Sequence, residues 1–281
     1  MRSRGTTALE VRRFDAAGSV AHADHVATEE PMEIRIVSPS PDGLRTDSVS
    51  VTMRTPGHDF ELAVGFLFGE GIVRDPATVL DVSYCPEPDA EQLYNVVNVV
   101  LSEEAAFDAD RLRRNFYTTS SCGVCGKASL EMLQTVGARS PGPGPVLDVD
   151  VVRSLPGRLR EAQPLFDETG GLHAAGLFDA AGRLLTLRED VGRHNAMDKL
   201  IGHHLREGNA PFGSLAVVVS GRASWELMQK AVMAGIPTLV AVGAPSSLAV
   251  ELAREFGMTL AGFARDDGFN VYAGAERIAG V

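Results

Sequence analysis

Cysteine is scarce in this chain: Cys85, Cys122 and Cys125 are the only three in 281 residues. So few cannot staple a chain of this length, which excludes a disulfide scaffold and favours a reducing compartment. Long apolar runs are missing too. No stretch reaches the roughly 18 residues of a membrane helix, and the opening Met-Arg-Ser-Arg-Gly-Thr-Thr lacks the apolar centre of a signal peptide. A cytoplasmic protein with no membrane partner is therefore expected. Positive charge is also in deficit, with 26 Lys and Arg against 37 Asp and Glu and a net charge of −11. That sign repels nucleic acid and anionic lipid over most of a surface, so neither is expected as a partner. The 44% hydrophobic content is nevertheless enough for a real core, in one large domain or two modest ones.

One segment departs from the acidic balance. Arg183 to Arg206 holds five Lys or Arg against three Asp or Glu, together with His194, His203 and His204. Such a patch fits a small anionic ligand, and it also fits an ordinary solvated helix face.

Periodicity gives the organisation. Residues 1–28 show no clear period and are expected to form a weakly ordered arm with one strand near Ala8 to Phe14. Met32, Ile34 and Ile36 alternate with polar or charged neighbours, as do Val49, Val51 and Met53, the pattern of half-buried strands. Pro56-Gly57 ends the second strand, and Asp59 is placed to cap a helix with Phe60, Val64, Leu67 and Phe68 on one face. With a further strand at Tyr94 to Leu101, residues 29–117 read as an α+β lobe. Residues 118–126 read as a mobile loop, and Pro141 to Pro145 as a linker that no helix interior accepts.

Beyond that linker, strands and helices alternate. Strands are expected at Leu172–Phe178, Leu184–Leu187, Leu215–Val219 and Thr238–Val242. Helices are expected at Arg193–Leu205, around Trp225, Met228 and Val232, and around Leu248, Leu252 and Phe256. Short connections between them predict an α/β lobe over residues 127–281 with parallel central strands.

The chemistry concentrates in Thr118-Thr-Ser-Ser-Cys122-Gly-Val-Cys125-Gly-Lys127. A Cys-x-x-Cys pair serves as a metal ligand, a redox couple, a sulfur-carrying nucleophile or a structural accident. A zinc site needs four ligands, and here neither a second pair nor a spaced His-His pair follows, although Cys85 and a distant histidine remain open to such a site. A thioredoxin-like couple belongs near the start of a βαβ unit, whereas this pair lies mid-chain. Buried structural cysteines keep apolar company, not Ser, Thr and Gly. A helix starting after Gly126 would turn its positive end toward the thiols, and Lys127 adds a cation. Both favour thiolate, the nucleophilic form.

Five ordered passages resemble the FdhD family of formate dehydrogenase accessory sulfurtransferases, from about residue 30 to the end. They are Arg54 to Leu67, the Ser-Ser-Cys-Gly-Val-Cys-Gly loop, Arg188 to Lys199, Ser220 to Glu226, and Leu260 to Tyr272. The resemblance implies a homodimer that takes sulfur as a persulfide from a cysteine desulfurase. It implies that the sulfur passes to the molybdenum bis-guanine-dinucleotide cofactor, a bound substrate, before insertion into formate dehydrogenase, with no permanently bound metal. It places the persulfide on Cys122, assisted by Cys125, and cofactor contact on Phe263, Ala264, Arg265, Asp266, Asp267 and Gly268. It also implies that the C-terminal lobe is cytidine-deaminase-like. Yet the chain has no His-x-Glu, and its Cys-x-x-Cys follows Ser rather than the Pro of a working zinc deaminase.

Further ligand contacts are expected where helices begin. Ser220, Gly221 and Arg222 follow an apolar strand at its carboxyl end, where α/β sheets bind ligands, and Arg222 suits a phosphate. Ser224 also makes an ordinary helix cap. Arg193 and His194 open another helix after Gly192. Asp190 and Asp198 read equally well as salt-bridge partners, and His58 with Glu61, one turn apart at a helix start, as cleft lining or, in preference, as a helix cap. Three rival readings of the whole chain stand beside the carrier: a cofactor chaperone that transfers no sulfur, a zinc-stabilised interaction module, and a thioredoxin-like oxidoreductase.

Overall fold

The structure, a computed structural model, describes residues 5–16, 18–86, 94–105, 137–209 and 212–280. Cys122, Cys125, the loop around them and the helix expected after Gly126 lie outside the described residues.

The chain opens with a two-stranded ribbon, β1 (Thr6–Asp15) and β2 (Gly18–Ala27), paired antiparallel. Nearly every side chain on both ribbon faces is exposed, so burial imposes no alternation on residues 6–27. The expected strand near Ala8 is β1, and its partner β2 leaves no periodic trace in the sequence for that reason. The ribbon is held at its base, where the Thr6 hydroxyl donates to Glu168 at 2.8 Å.

A four-stranded sheet follows. It is built from β3 (Glu30–Ser40), β4 (Gly43–Arg54), β5 (Val79–Tyr84) and β6 (Val96–Leu101) in the order β4-β3-β6-β5. Met32, Ile34 and Ile36 point to its covered face, as their alternation predicts, and α1 (Asp59–Gly69) closes that face with Leu62, Ala63 and Leu67. Asp59 does not cap α1 as expected. His58 occupies the cap position with a left-handed φ of 59° and makes no capping hydrogen bond with its side chain. Buried Asp59 instead takes both guanidinium arms of buried Arg54 at 3.1 Å, because a guanidinium in this core needs a carboxylate more than the helix end needs a cap.

The larger sheet has six strands in the order β13-β12-β11-β10-β8-β9. They are β8 (His173–Phe178), β9 (Leu184–Asp190), β10 (Ala216–Val219), β11 (Thr238–Ala241), β12 (Thr259–Arg265) and β13 (Gly268–Ala273). The central β10, β11 and β12 run parallel, as predicted, and β8, β9 and β13 pair antiparallel around them. A short strand, β7 (Leu147–Asp148), pairs with a C-terminal β14 (Ile278–Ala279) outside this sheet.

Both faces of the large sheet are covered. On one side lie α4 (Arg193–Arg206), α5 (Trp225–Ala234) and α6 (Ser247–Glu255), packing Met197, Leu200, Met228 and Leu252 onto Val217, Val219 and Leu239. On the other, α2 (Val149–Glu161) sets Val152, Leu155 and Leu159 against Phe178, Val218 and Val240. Alternate residues of Ala216–Val219 thus feed opposite cores, which is why that strand reads as a continuous apolar run. A short helix, α3 (Pro164–Thr169), follows α2. Among the described residues, no helix is long and apolar enough to cross a membrane.

Candidate functional site

Three parallel strands end side by side, and their ends are laced together by backbone hydrogen bonds. Gly243 N–H donates to the Gly221 carbonyl at 2.9 Å and Phe263 N–H to the Gly243 carbonyl at 3.1 Å. Ser220 is tied to the neighbouring antiparallel strand, since its N–H donates to Ala174 O at 3.0 Å while its hydroxyl oxygen accepts from Ala174 N–H at 2.9 Å. That use of the oxygen leaves the Ser220 O–H proton free to donate elsewhere.

Against these ends lies a cavity of about 640 Å³, roofed by α2 and α3 and lined among others by Arg160, Phe166, His173, Ser220, Arg265 and Asp266. Its position fits the rule that open α/β sheets hold ligands beyond the carboxyl ends of their strands. Pro156 and Gly157 of α2 line the wall, where a Cβ added at Gly157 would meet the Asp266 carboxylate oxygen at 3.5 Å, an ordinary van der Waals contact.

The residues expected from sequence divide into two groups. Ser220, Ala264, Arg265 and Asp266 line the cavity, and Gly221 adjoins it through His173. Arg193 stands beside Gly221, with its Nε buried and, among the described residues, without a hydrogen-bond partner. His194 turns away to α5, where it meets Glu226 at 2.8 Å and the Ser224 hydroxyl at 3.1 Å. Ser224 caps α5 by accepting from Leu227 N–H. Exposed Arg222 packs its backbone against Gly243, while Asp267 follows Asp266 in the turn and Gly268 begins β13.

Phe263 is exposed, 46% accessible, and held at a left-handed φ of 53°. A non-glycine residue in that region costs about 1–3 kcal/mol and persists where surrounding structure enforces it. Here the register of β12 and β13 slips between Gly262 and Arg265, and that irregularity presents the ring to solvent beside the cavity-lining residues.

His173, Arg160 and Phe166 escape a reading of the sequence alone. His173 starts an antiparallel strand, and only the sheet order brings a strand start to the same edge as three strand ends. Arg160 lies over the Phe166 ring at 4.5 Å.

Behind this site, buried charges hold the helices. Asp190 and Asp198 are salt-bridge partners: Asp190 meets Lys199 at 2.6 Å and Asp198 meets Lys230 at 2.9 Å. Glu61 gathers Arg188, His58 and His203. Burial opposes its charge, but the hydrogen bonds from Arg188 and His58 outweigh it and hold the carboxyl at about 2. His58 and Glu61 thus join α1 to β9 and α4 rather than capping a helix. Among the described residues, no three His, Cys, Asp or Glu converge on one point as metal ligands would.

The fold and this cavity define a mixed α/β protein with a candidate ligand cleft at the carboxyl edge of its parallel strands. The chain belongs to the FdhD/NarQ family, whose model matches residues 27–279. It is 49% identical over 276 residues to the Sulfur carrier protein FdhD of Mycolicibacterium paratuberculosis, covering 97% of this chain and 98% of that one. It is 48% identical over 280 residues to the Sulfur carrier protein FdhD of Streptomyces avermitilis, covering 98% and 96%. A crystal structure from Desulfotalea psychrophila, assigned as a formate dehydrogenase accessory protein, superposes with a TM-score of 0.72 at 26% identity over 98% of this chain and 99% of that one.

Proposed function

We propose that this protein is a sulfur carrier serving formate dehydrogenase in the cytoplasm, working as a homodimer. The observation that carries the reading is near-half identity, along almost the whole chain, to proteins named as sulfur carriers, in a chain whose one close cysteine pair is Cys122 and Cys125. The Cys122 thiolate attacks the outer sulfur of a persulfide on a cysteine desulfurase. The donor's S–S bond breaks, its cysteine leaves as thiolate, and Cys122 keeps the sulfur as its own persulfide. On delivery, the Cys125 thiolate attacks Cys122. A disulfide forms, and the outer sulfur departs as sulfide for the molybdenum of the bis-guanine-dinucleotide cofactor, the bound substrate.

The cavity supports the cofactor half of the reading. Arg265 offers a planar fork of donors to phosphate oxygens, Ser220 has a hydroxyl proton to give, and Asp266 can accept from the edge of a guanine. Phe263, exposed and strained, offers a ring face for a base.

Activation of formate dehydrogenase in cells lacking this protein tests the reading. Wild type restores activity, and Cys122→Ala drops it by about two orders of magnitude or more, as expected when the nucleophile is removed. Full activity with Cys122→Ala would make the protein a cofactor chaperone that transfers no sulfur.

A further inference from the structure

His173 is a titratable group of the cavity that neither sulfur transfer nor the phosphate contacts of Arg265 and Ser220 employ. It lies on the cavity wall, half-buried. Among the described residues its imidazole makes neither a hydrogen bond nor an ion pair, although most histidines around it are engaged. His194 is paired with Glu226, His203 with Glu61, and His204 with the Thr186 hydroxyl at 2.8 Å. A Cβ at Gly221 would fall 3.4 Å from His173 Nδ1 and 3.7 Å from Arg193 Cδ, so the imidazole and the stem of the Arg193 side chain flank the same glycine.

Its charged surroundings come from several elements. Arg193 acts on it from α4, as does the charge of His194 although that ring turns away to Glu226, and Asp190 acts from β9. The cavity wall adds Arg160 from α2, Arg265 at the end of β12 and Asp266 in the turn beyond it. Burial first, then the positive charges of Arg193 and His194, hold His173 below the usual histidine value, with Asp190 offsetting them in part. The cavity thus keeps a neutral imidazole in a place that gathers cations.

We propose that His173 is the proton-accepting contact of this cavity: a phosphate-bearing ligand enters, His173 takes a proton from solvent, and its N–H then donates to the ligand beside Arg193. The inference rests on the nucleotide reading of the cavity. Its physical logic is linkage. The negative charges of a pyrophosphate offset the neighbouring cations that keep the ring neutral, so the ring binds its proton more tightly with ligand present. Proton uptake on binding then requires affinity to rise as pH falls, by at most about tenfold per pH unit for one proton.

The test is calorimetric titration of the full-length protein with GDP-mannose, whose pyrophosphate diester stays fully ionised and takes up no proton itself. Comparing buffers of different ionisation enthalpy near neutral pH counts the protons taken up. The expected result is uptake in the wild type, tighter binding from about pH 8 to about pH 6, and loss of both the uptake and the pH slope in His173→Gln. Binding without uptake overturns the proposal, as does uptake that persists in His173→Gln, and either leaves the nucleotide site standing. No binding of GDP-mannose by the wild type overturns the nucleotide reading, and the proposal with it. The wild-type proton count needs no variant, so it decides the matter even where His173→Gln melts early.

Discussion

Alanine at Gly65 or Gly202 will destabilise this protein severely, although each change adds a single methyl group. The two glycines face each other where α1 crosses α4, with no side chain between the backbones. A Cβ at Gly65 would lie 1.9 Å from the Asp198 carbonyl oxygen, and one at Gly202 would lie 1.9 Å from the Glu61 carbonyl oxygen. Backbone atoms inside helices cannot swing aside as a side-chain tip does, so the helices must separate. Separation opens both cores, because α1 gives Leu62, Ala63 and Leu67 to one and Val64 to the other. It also loosens the buried Asp198–Lys230 pair. Overpacking ordinarily costs about 1–3 kcal/mol, and this site belongs above that range, at about 4 kcal/mol or more. The thermal midpoint should fall by roughly 8–16 °C. Gly213→Ala is the control, since its Cβ would meet nothing nearer than the Pro141 carbonyl at 3.7 Å. An unchanged midpoint for Gly65→Ala would contradict this helix crossing.

Asp190→Ala is the second large loss. Asp190 and Lys199 are 0% and 1% exposed and 2.6 Å apart, so each charge depends on the other. The carboxylate also accepts from Thr55 N–H at 3.1 Å, Gly192 N–H at 2.8 Å and Asn195 Nδ2 at 3.0 Å. It thereby ties the end of β4 to the turn that launches α4 and aims Arg193. Removing one partner of a buried pair costs about 3–5 kcal/mol, largely because the survivor is left buried and uncompensated. Among the described residues, Lys199 retains only the Thr55 carbonyl at 2.8 Å and a long approach to the Glu189 carbonyl at 3.5 Å. The double variant Asp190→Ala/Lys199→Met should therefore be more stable than Asp190→Ala alone, with a coupling of about 1–3 kcal/mol in denaturant unfolding. Strict additivity would mean that the pair is not the interaction that matters.

These two sites also mark how far the sequence can be read. Elements defined by burial on one or both faces are legible: Met32, Ile34 and Ile36 give β3, the apolar run gives β10, and the helix beginning at Arg193 is α4. Ser220, Ala264, Arg265 and Asp266 are findable because each sits at a strand end or in a distinctive motif. The ribbon partner β2 is not, because an exposed strand carries no period. Gly65 and Gly202 look like ordinary weak spots in helices, since close approach depends on a partner far along the chain. His173 is hidden for a related reason, as its place on the cavity wall follows from sheet order and from no local pattern. Asp59 shows the opposite failure. Its capping position is locally correct, and pairing with the buried guanidinium of Arg54 takes precedence once the core is formed.

The central claim is that Cys122 carries sulfur, and intact-protein mass spectrometry reaches it most directly. The protein is incubated with a cysteine desulfurase and cysteine, alongside Cys122→Ala. The account predicts a gain of about 32 Da in the wild type, reversed by a thiol reductant and absent from the variant. No gain in the wild type with an active desulfurase, or an equal gain in Cys122→Ala, would contradict it.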